Sequence, residues 1–180
     1  MDARQRMDAT QRALTSDSLQ DFLRLFGNVF EHSAWLVERA WMLRPFADGQ
    51  ALYHTLRSVL QSLNHEERLR LVRAHPELAG KVAIAKGLTG ESSAEQASAG
   101  LDRLTPAQFE RFHALNAAYR RRHDFPFIIC VRLHDKTGIL SAMQRRVDRS
   151  SPEELDEAIE QISQICRLRV EAIAGESLQR

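Results

Sequence analysis

A histidine and a carboxylate lie at two points of one polar stretch, and both residue types can move protons. The stretch reads HPELAGKVAIAKGLTGESSAEQ and runs from His75 to Gln96. His75 precedes Pro76, and the residue before a proline is displaced from the helical region, so we expect His75 at a helix C-terminus. There the helix dipole favours the imidazolium form that a general acid requires. A histidine that only caps a helix would show the same pattern, so both interpretations stay open.

The carboxylate is Glu95, in the second half of the stretch. Ser92 with Glu95, and Ser93 with Gln96, have the spacing of two overlapping capping boxes, which predicts a helix start here. A helix N-terminus presents free N–H groups that can hold a carboxylate or a polarised carbonyl. Glu95 and Gln96 would then offer an acceptor and an amide to the same ligand. In the structural alternative, Glu95 only satisfies a backbone N–H group.

Helices must position these two groups. Apolar residues recur at helical spacing along most of the chain, and Asn64 and Thr105 have the residue types that begin helices. We therefore predict an all-α, single-domain multi-helix bundle over residues 18–175. Residues 1–17 are polar, and we expect them to form a flexible N-terminal tail.

One segment does not fit a helical pattern. Phe125 to Val131 reads FPFIICV, the least polar run of the chain, and its composition favours a buried strand. The sequence offers no partner strands, and a lone strand cannot satisfy its backbone. We therefore predict an extended segment, at about residues 125–131, threaded between helices and retaining free N–H groups. Such amides could hold carbonyl and ureido groups; the alternative is a plain core segment.

The last helix carries an arginine on its apolar face. Arg169 falls at helical spacing within an otherwise apolar stripe formed by Leu155, Ile159, Ile162, Cys166 and Ile173. A guanidinium that faces inward must be paired. Its partner would be either a structural carboxylate or an anionic group of a substrate, and the sequence leaves both open.

Composition excludes several classes of function. The 180 residues are 43% hydrophobic and 27% charged with a net charge of +1, which argues against nucleic acid or anionic membrane as a partner. No apolar run could span a bilayer, and the N-terminus has no signal-peptide core. Cys130 and Cys166 form no CxxC pair, so we expect a reduced, cytoplasmic compartment. The seven histidines show no metal-ligand spacing and no nucleotide-binding loop is present, so we expect neither metal nor cofactor.

Several ordered blocks of sequence carry a family resemblance. Over about residues 19–173 the chain resembles the 2-oxo-4-hydroxy-4-carboxy-5-ureidoimidazoline (OHCU) decarboxylases of purine catabolism. The blocks are RPF from Arg44, HPELAGK from His75, LTGESSAEQASAGLDRL from Leu88, LNAAY from Leu115, FPFIICVR from Phe125 and CRLRV from Cys166. One departure is His123-Asp124, where the family commonly has an aromatic residue followed by glycine.

The resemblance implies an all-α, cofactor-free enzyme that converts a small ureidoimidazoline into (S)-allantoin and CO2 during urate degradation, and it suggests a homodimer. His75 and Glu95 match the family's catalytic pair. The residues that match its substrate-binding segments are Pro76, Ser92, Ser93, Ala94, Gln96, Phe125, Pro126, Phe127, Ile128, Ile129 and Arg169.

A mechanism follows from this match as a hypothesis. Loss of CO2 leaves charge on an oxygen that amides near Ile128 and Ile129 could stabilise, and His75 then protonates one face of the carbon. Glu95 would orient the ureido or hydroxyl group. Two other hypotheses remain: a non-catalytic helical module that binds a ureide or a partner protein, and a lyase or hydrolase for a related ureido acid.

Overall fold

The chain is helical wherever its structure is described. The computed structural model describes residues 10–79, 90–175 and 178–179, and these ranges contain no β-strand. The helices are α1 Leu19–Phe26, α2 Ala34–Trp41, α3 Gly49–Gln61, α4 His65–Arg73, α5 Gly90–Ser98, α6 Pro106–His123, α7 Lys136–Arg146 and α8 Ser151–Ala174, with a short 3-10 helix at Val131–Leu133. The all-α prediction is therefore confirmed. The glycine-containing connector between Ala79 and Gly90 lies outside the described residues.

The chain divides into two compact units. The terminal unit comprises residues 1–64 and 163–180, and the central unit comprises residues 65–162. Helices α1–α3 belong to the terminal unit and α4–α7 to the central unit, while α8 contributes its first half to the central unit and its second half to the terminal one. His75 and Glu95 thus lie in the same unit, and Arg169 lies in the other.

Part of the predicted N-terminal tail is ordered structure. Residues 10–15 are helical, and the side chains of Ala13 and Leu14 are buried in the terminal unit. Thr10 donates a hydrogen bond from its hydroxyl to the carbonyl of Ile173, at 3.1 Å. The prediction of a tail reaching residue 17 was therefore wrong for this part, because two apolar side chains are enough to dock a short helix on the core. Residues 1–9 lie outside the described range.

Local sequence explains where the helices of the central unit begin. α4 starts directly after Asn64, as predicted. α6 begins with a full capping box: Thr105 accepts the N–H of Gln108, and the Gln108 side chain accepts the N–H of Thr105. Pro106 occupies the first helical position, where its missing N–H costs no hydrogen bond. None of the described helices combines the length and the apolar character needed to cross a lipid bilayer.

The extended segment is present at the predicted place. Residues 125–130 are neither helical nor paired as a strand, and all six are buried. The ring of Tyr119 on α6 meets Phe125 and Phe127 edge-on, at centroid distances of 5.9 and 5.3 Å. Edge-to-face packing of this kind stabilises aromatic clusters beyond the area that they bury. The phenylalanines thus anchor the segment in the core of the central unit.

His123 closes α6 as a buried, hydrogen-bonded histidine. Its Nδ1 lies 3.0 Å from the hydroxyl of Ser151, and its Nε2 lies 3.3 Å from the carbonyl of Val147. The carbonyl can only accept, so Nε2 carries a hydrogen. The Ser151 hydroxyl also lies 3.3 Å from the Arg122 carbonyl, to which it can donate. Burial, the largest cause, lowers the pKa of His123 below its ordinary value of 6.5.

This burial predicts a pH-dependent stability. Between the lowered pKa and 6.5 the unfolded chain binds more protons than the folded one, so the free energy of unfolding should fall as the pH falls through this window. Urea denaturation between about pH 5 and pH 8 measures it. His123→Gln should be less stable overall but should lose this part of the slope.

Two observations allow this change of stability with pH to be assigned to His123. The pKa of Glu153 is also lowered, by its hydrogen bonds to Ser150, but its stabilising effect is lost only below its ordinary value of 4.5. His113 is exposed on the same helix, so His113→Gln serves as the matched control. Equal slopes in the wild type and His123→Gln would contradict the assignment.

Candidate active site

His75 lies just beyond the C-terminal end of α4, as predicted. α4 ends at Arg73, and the backbone N–H of His75 still donates to the carbonyl of Val72, at 3.3 Å. The side chain is half-buried, and its Nδ1 lies 3.4 Å from the carbonyl of Leu71. A carbonyl can only accept, so Nδ1 carries a hydrogen.

The turn after His75 is held by side chains from two other helices. Asn116 on α6 donates from Nδ2 to the carbonyl of Leu78, at 2.7 Å. The N–H of Ala79, a residue with a positive φ of 51°, donates to Oε1 of Gln96 on α5, at 3.2 Å. Both bonds are buried. The two halves of the His75–Gln96 stretch therefore adjoin one another in the folded chain.

α5 carries the candidate carboxylate, but it starts earlier than predicted. The helix already includes Gly90 and Glu91, so Ser92 is its third residue, and the predicted helix start at Ser92 is wrong. The serine–glutamate spacing fits a capping box, but it also fits any helix with those residues one turn apart. Ser92 and Gln96 share the buried face of α5, and Glu95 beside them is half-buried.

The remaining predicted residues divide between surface and core. Ser93 and Ala94 are exposed on α5, and Pro76 is half-buried in the turn after His75. In the extended segment, the side chains of Phe125, Pro126, Phe127, Ile128 and Ile129 are all buried. Those side chains pack the core, so only the backbone of this segment can offer polar groups to a ligand.

The backbone of the extended segment is partly occupied. The N–H of Cys130 donates to Oε1 of Gln161, at 2.8 Å, and the carbonyl of Ile128 accepts from Arg146, at 3.0 Å. Within the described part of the chain, the N–H groups of Ile128 and Ile129 make no hydrogen bond. The expectation of free amides is thus wrong for Cys130 and holds for these two isoleucines.

α5 also adjoins this segment. It packs against the 3-10 helix Val131–Leu133, which directly follows Cys130. α5 therefore contacts both the turn that follows His75 and the end of the extended segment. The three stretches singled out from the sequence meet on one helix of the central unit.

A buried ion pair behind the extended segment was missed by the sequence analysis. Arg146 on α7 and Glu154 on α8 are almost fully buried, with Nε of Arg146 2.9 Å from Oε2 of Glu154. Tyr119 donates its hydroxyl to the same carboxylate oxygen, at 2.6 Å. Burial and the neighbouring Glu154 raise the pKa of Tyr119, so its hydroxyl stays protonated and keeps donating. A sequence signal existed: Arg146 interrupts an apolar stripe, as Arg169 does.

Arg169 is paired inside the terminal unit. Its Nη1 lies 3.0 Å from the carbonyl of Asn28 and 3.4 Å from Oε2 of Glu31, and both charged side chains are buried. The structural carboxylate that the sequence analysis considered is therefore present. A role for Arg169 in holding a substrate anion stays a prediction.

Asp124 occupies the position at which the sequence departs from the pattern of the family that it resembles. It ends α6 in the left-handed conformation, with φ 62° and ψ 20°. Glycine adopts this conformation without strain, and aspartate tolerates it better than most other residues. Its carboxylate pairs with Arg73, the last residue of α4, and its carbonyl accepts from Nε of Arg73 at 3.3 Å. The departure thus links the end of α6 to the helix that presents His75.

The arrangement defines a class of protein. A histidine at a helix end, a carboxylate on the helix that adjoins the following turn, and unbonded backbone amides are the parts of an acid–base enzyme for a small polar substrate. Among the described residues, no three His, Cys, Asp or Glu side chains come together in a way that could hold a metal ion.

Comparison with known proteins gives the family. Residues 15–171 match the model of the OHCU decarboxylase family. The chain is 37% identical to a 2-oxo-4-hydroxy-4-carboxy-5-ureidoimidazoline decarboxylase of Halalkalicoccus jeotgali, over 91% of both chains. It is 39% identical to one of Haloferax volcanii, over 83% of this chain and 86% of the relative. A crystal structure of (S)-allantoin synthase matches with a TM-score of 0.69 and 28% identity, over 91% of this chain and 54% of that one. The chain belongs to the OHCU decarboxylase family.

Substitutions at Asp124 test the backbone strain at this departure. Asp124→Gly and Asp124→Ala both remove the exposed ion pair with Arg73, but only alanine must be forced into the left-handed conformation. We expect Asp124→Ala to be less stable than Asp124→Gly by about 1 kcal/mol in urea denaturation. Arg73→Met removes the exposed ion pair and the hydrogen bond to the Asp124 carbonyl without changing residue 124, and it should cost about 1 kcal/mol or less. Equal stability of the two Asp124 variants would show that residue 124 is not strained.

Proposed function

We propose that this protein decarboxylates 2-oxo-4-hydroxy-4-carboxy-5-ureidoimidazoline to (S)-allantoin and CO2 in urate degradation. The observation that carries the proposal is the meeting of the three motif segments on α5. Gln96 holds the turn after His75, and α5 packs against the 3-10 helix that follows the extended segment. Family membership across residues 15–171 supports the same reaction.

The substrate's own chemistry defines what the site must do. One ring carbon carries both the hydroxyl and the carboxylate, and the neighbouring carbon carries the ureido group and a double bond to ring nitrogen. When the bond to CO2 breaks, its electron pair moves through that double bond towards the ring's 2-oxo oxygen. The ureido-bearing carbon then gains a proton, and the hydroxyl loses one as it becomes a carbonyl. The net reaction exchanges CO2 for one proton.

His75 is the proposed acid. Nδ1 is engaged by the carbonyl of Leu71, so Nε2 delivers the proton. Because His75 is held at a helix end, it can approach the ureido-bearing carbon from one face only, and delivery from one face produces one enantiomer.

Glu95 and the backbone amides are proposed to fix the substrate. The Glu95 carboxylate can accept N–H bonds from the ureido group, which turns that carbon towards His75. The N–H groups of Ile128 and Ile129 can donate to the oxygen that gains negative charge. Amides already oriented towards such an oxygen stabilise it without reorganisation. Ser92 and Gln96 lie on the buried face of α5, beside Glu95.

Removing the acid should abolish stereospecific turnover. The labile substrate is generated in place from urate with urate oxidase and hydroxyisourate hydrolase, and circular dichroism follows (S)-allantoin. We expect His75→Ala to lower kcat by about 100- to 10,000-fold, the usual contribution of a general acid. Glu95→Gln keeps the shape of the side chain but removes its charge, and it should raise KM and lower kcat.

His113→Ala is the matched control, since His113 is exposed and is not one of the candidate site residues. It should retain wild-type turnover. Wild-type protein that yields racemic allantoin at the rate of a protein-free control would exclude the decarboxylase. A folded His75→Ala variant with wild-type kcat would exclude His75 as the acid.

A further inference from the structure

Two successive peptide groups of the extended segment are fixed by side chains of the central unit. The carbonyl of Ile128 accepts from Nη1 of Arg146, at 3.0 Å. The next peptide along the chain has its N–H, on Cys130, bonded to Oε1 of Gln161, at 2.8 Å. Ile129 lies between these two peptides, so its backbone is held on both sides.

Because the peptide bond is planar, these contacts determine the direction in which the Ile129 N–H points. The bond between Ile128 and Ile129 is trans, because among the described residues only Arg44-Pro45 is cis. In a trans peptide the C=O and the following N–H point in opposite directions. The Ile128 carbonyl points at buried Arg146, so the Ile129 N–H points away from Arg146. This N–H makes no hydrogen bond within the described chain.

Arg146 is itself held rigidly. Its Nε lies 2.9 Å and 3.3 Å from the two carboxylate oxygens of Glu154, and Tyr119 donates to one of them. The guanidinium carbon lies 4.4 Å from the centre of the Phe127 ring. A planar guanidinium with several simultaneous partners has little freedom to turn. Its orientation therefore determines where the Ile128 carbonyl points.

Gln161 is oriented in the same manner. Its Nε2 donates to Oε1 of Glu157, one helical turn earlier on α8, at 2.9 Å. This bond assigns the amide so that Oε1 faces the N–H of Cys130. The second peptide is thus fixed as well, which restricts rotation about the backbone of Ile129.

We propose that Arg146 is a positioning residue, which, with Glu154, Tyr119 and Gln161, aims the N–H of Ile129 at the substrate oxygen that gains negative charge. This inference rests on the proposed decarboxylase function. The ion pair acts through the backbone and touches no reacting atom. Its removal should therefore weaken stabilisation of the transition state more than binding of the substrate.

The kinetic test separates kcat from KM. Arg146→Lys keeps a positive charge opposite Glu154 but lacks the fork that reaches both Glu154 and Ile128. Loss of a single oxyanion donor lowers kcat by about 100- to 1,000-fold. We expect misorientation in Arg146→Lys to lower kcat by about 10- to 100-fold, with KM changed by less than about threefold. Gln161→Met, which leaves the ion pair intact, should lower kcat in the same direction but less.

Neighbouring exposed residues provide matched controls. Arg145 lies exposed beside Arg146 on α7, so Arg145→Lys is the control for Arg146→Lys. Gln144 is also exposed, so Gln144→Met makes the same change as Gln161→Met at the surface. Both should keep wild-type kcat. Far-ultraviolet circular dichroism and urea denaturation verify folding. If Arg146→Lys does not fold, Gln161→Met decides the proposal.

A spectroscopic signature distinguishes positioning from a general loss of stability. In ¹⁵N-labelled wild-type protein, the Ile129 amide resonance should shift as (S)-allantoin is added. In Arg146→Lys that shift should shrink, while other resonances of the central unit still respond to the ligand. A structural role alone would not move the Ile129 resonance selectively.

The outcomes separate this inference from the proposed function. The positioning role alone would be overturned by one combination of results. In that combination the wild type is active, His75→Ala is inactive, and the folded Arg146→Lys and Gln161→Met variants keep the wild-type kcat. If (S)-allantoin shifts other resonances but leaves the Ile129 amide resonance unchanged, the positioning role is overturned too. Wild-type protein without decarboxylase activity would overturn the proposed function, and the inference with it.

Discussion

A buried stretch of backbone without a partner strand is the constraint on which the central unit depends. Residues 125–130 are enclosed by helices, and each buried polar group that finds no partner costs about 1–3 kcal/mol. Side chains take the place of a neighbouring strand: Arg146 bonds one carbonyl and Gln161 one amide. Arg146 in turn needs Glu154, because removing one member of a buried pair typically costs about 3–5 kcal/mol. A requirement of the backbone thus explains a charged network in the core.

The turn after His75 follows the same logic. Its peptide groups are buried where no regular element can bond them, and Asn116 and Gln96 supply the missing partners. Gln96 is therefore structural whether or not it also meets a ligand. This dual use is common where a site is built from irregular backbone, since the side chains that satisfy the backbone also hold its remaining amides in place.

Asp124 shows how a departure from a family pattern can be accommodated. A left-handed residue closes α6, a conformation that glycine adopts most readily, and here aspartate adopts it. The side chain then forms an exposed ion pair with Arg73, next to the segment that carries His75. Exposed ion pairs contribute little to stability. The contact links two elements of the site without strongly stabilising the fold.

Periodicity, caps and proline positions were sufficient to predict the helical class, the helix end before His75 and the extended segment, because these depend on residues close together in the chain. The ordered blocks pointed to the family and to its candidate residues. Local sequence patterns gave a wrong prediction where one pattern fits two different structures. Ser92 fits a helix start, but it lies inside α5. Only the tertiary structure showed that Gln96 meets Ala79, that Arg169 pairs with Glu31 and that Arg146 holds the carbonyl of Ile128. Such pairings join residues distant in sequence, and they depend on which buried groups lack a partner once the helices have packed.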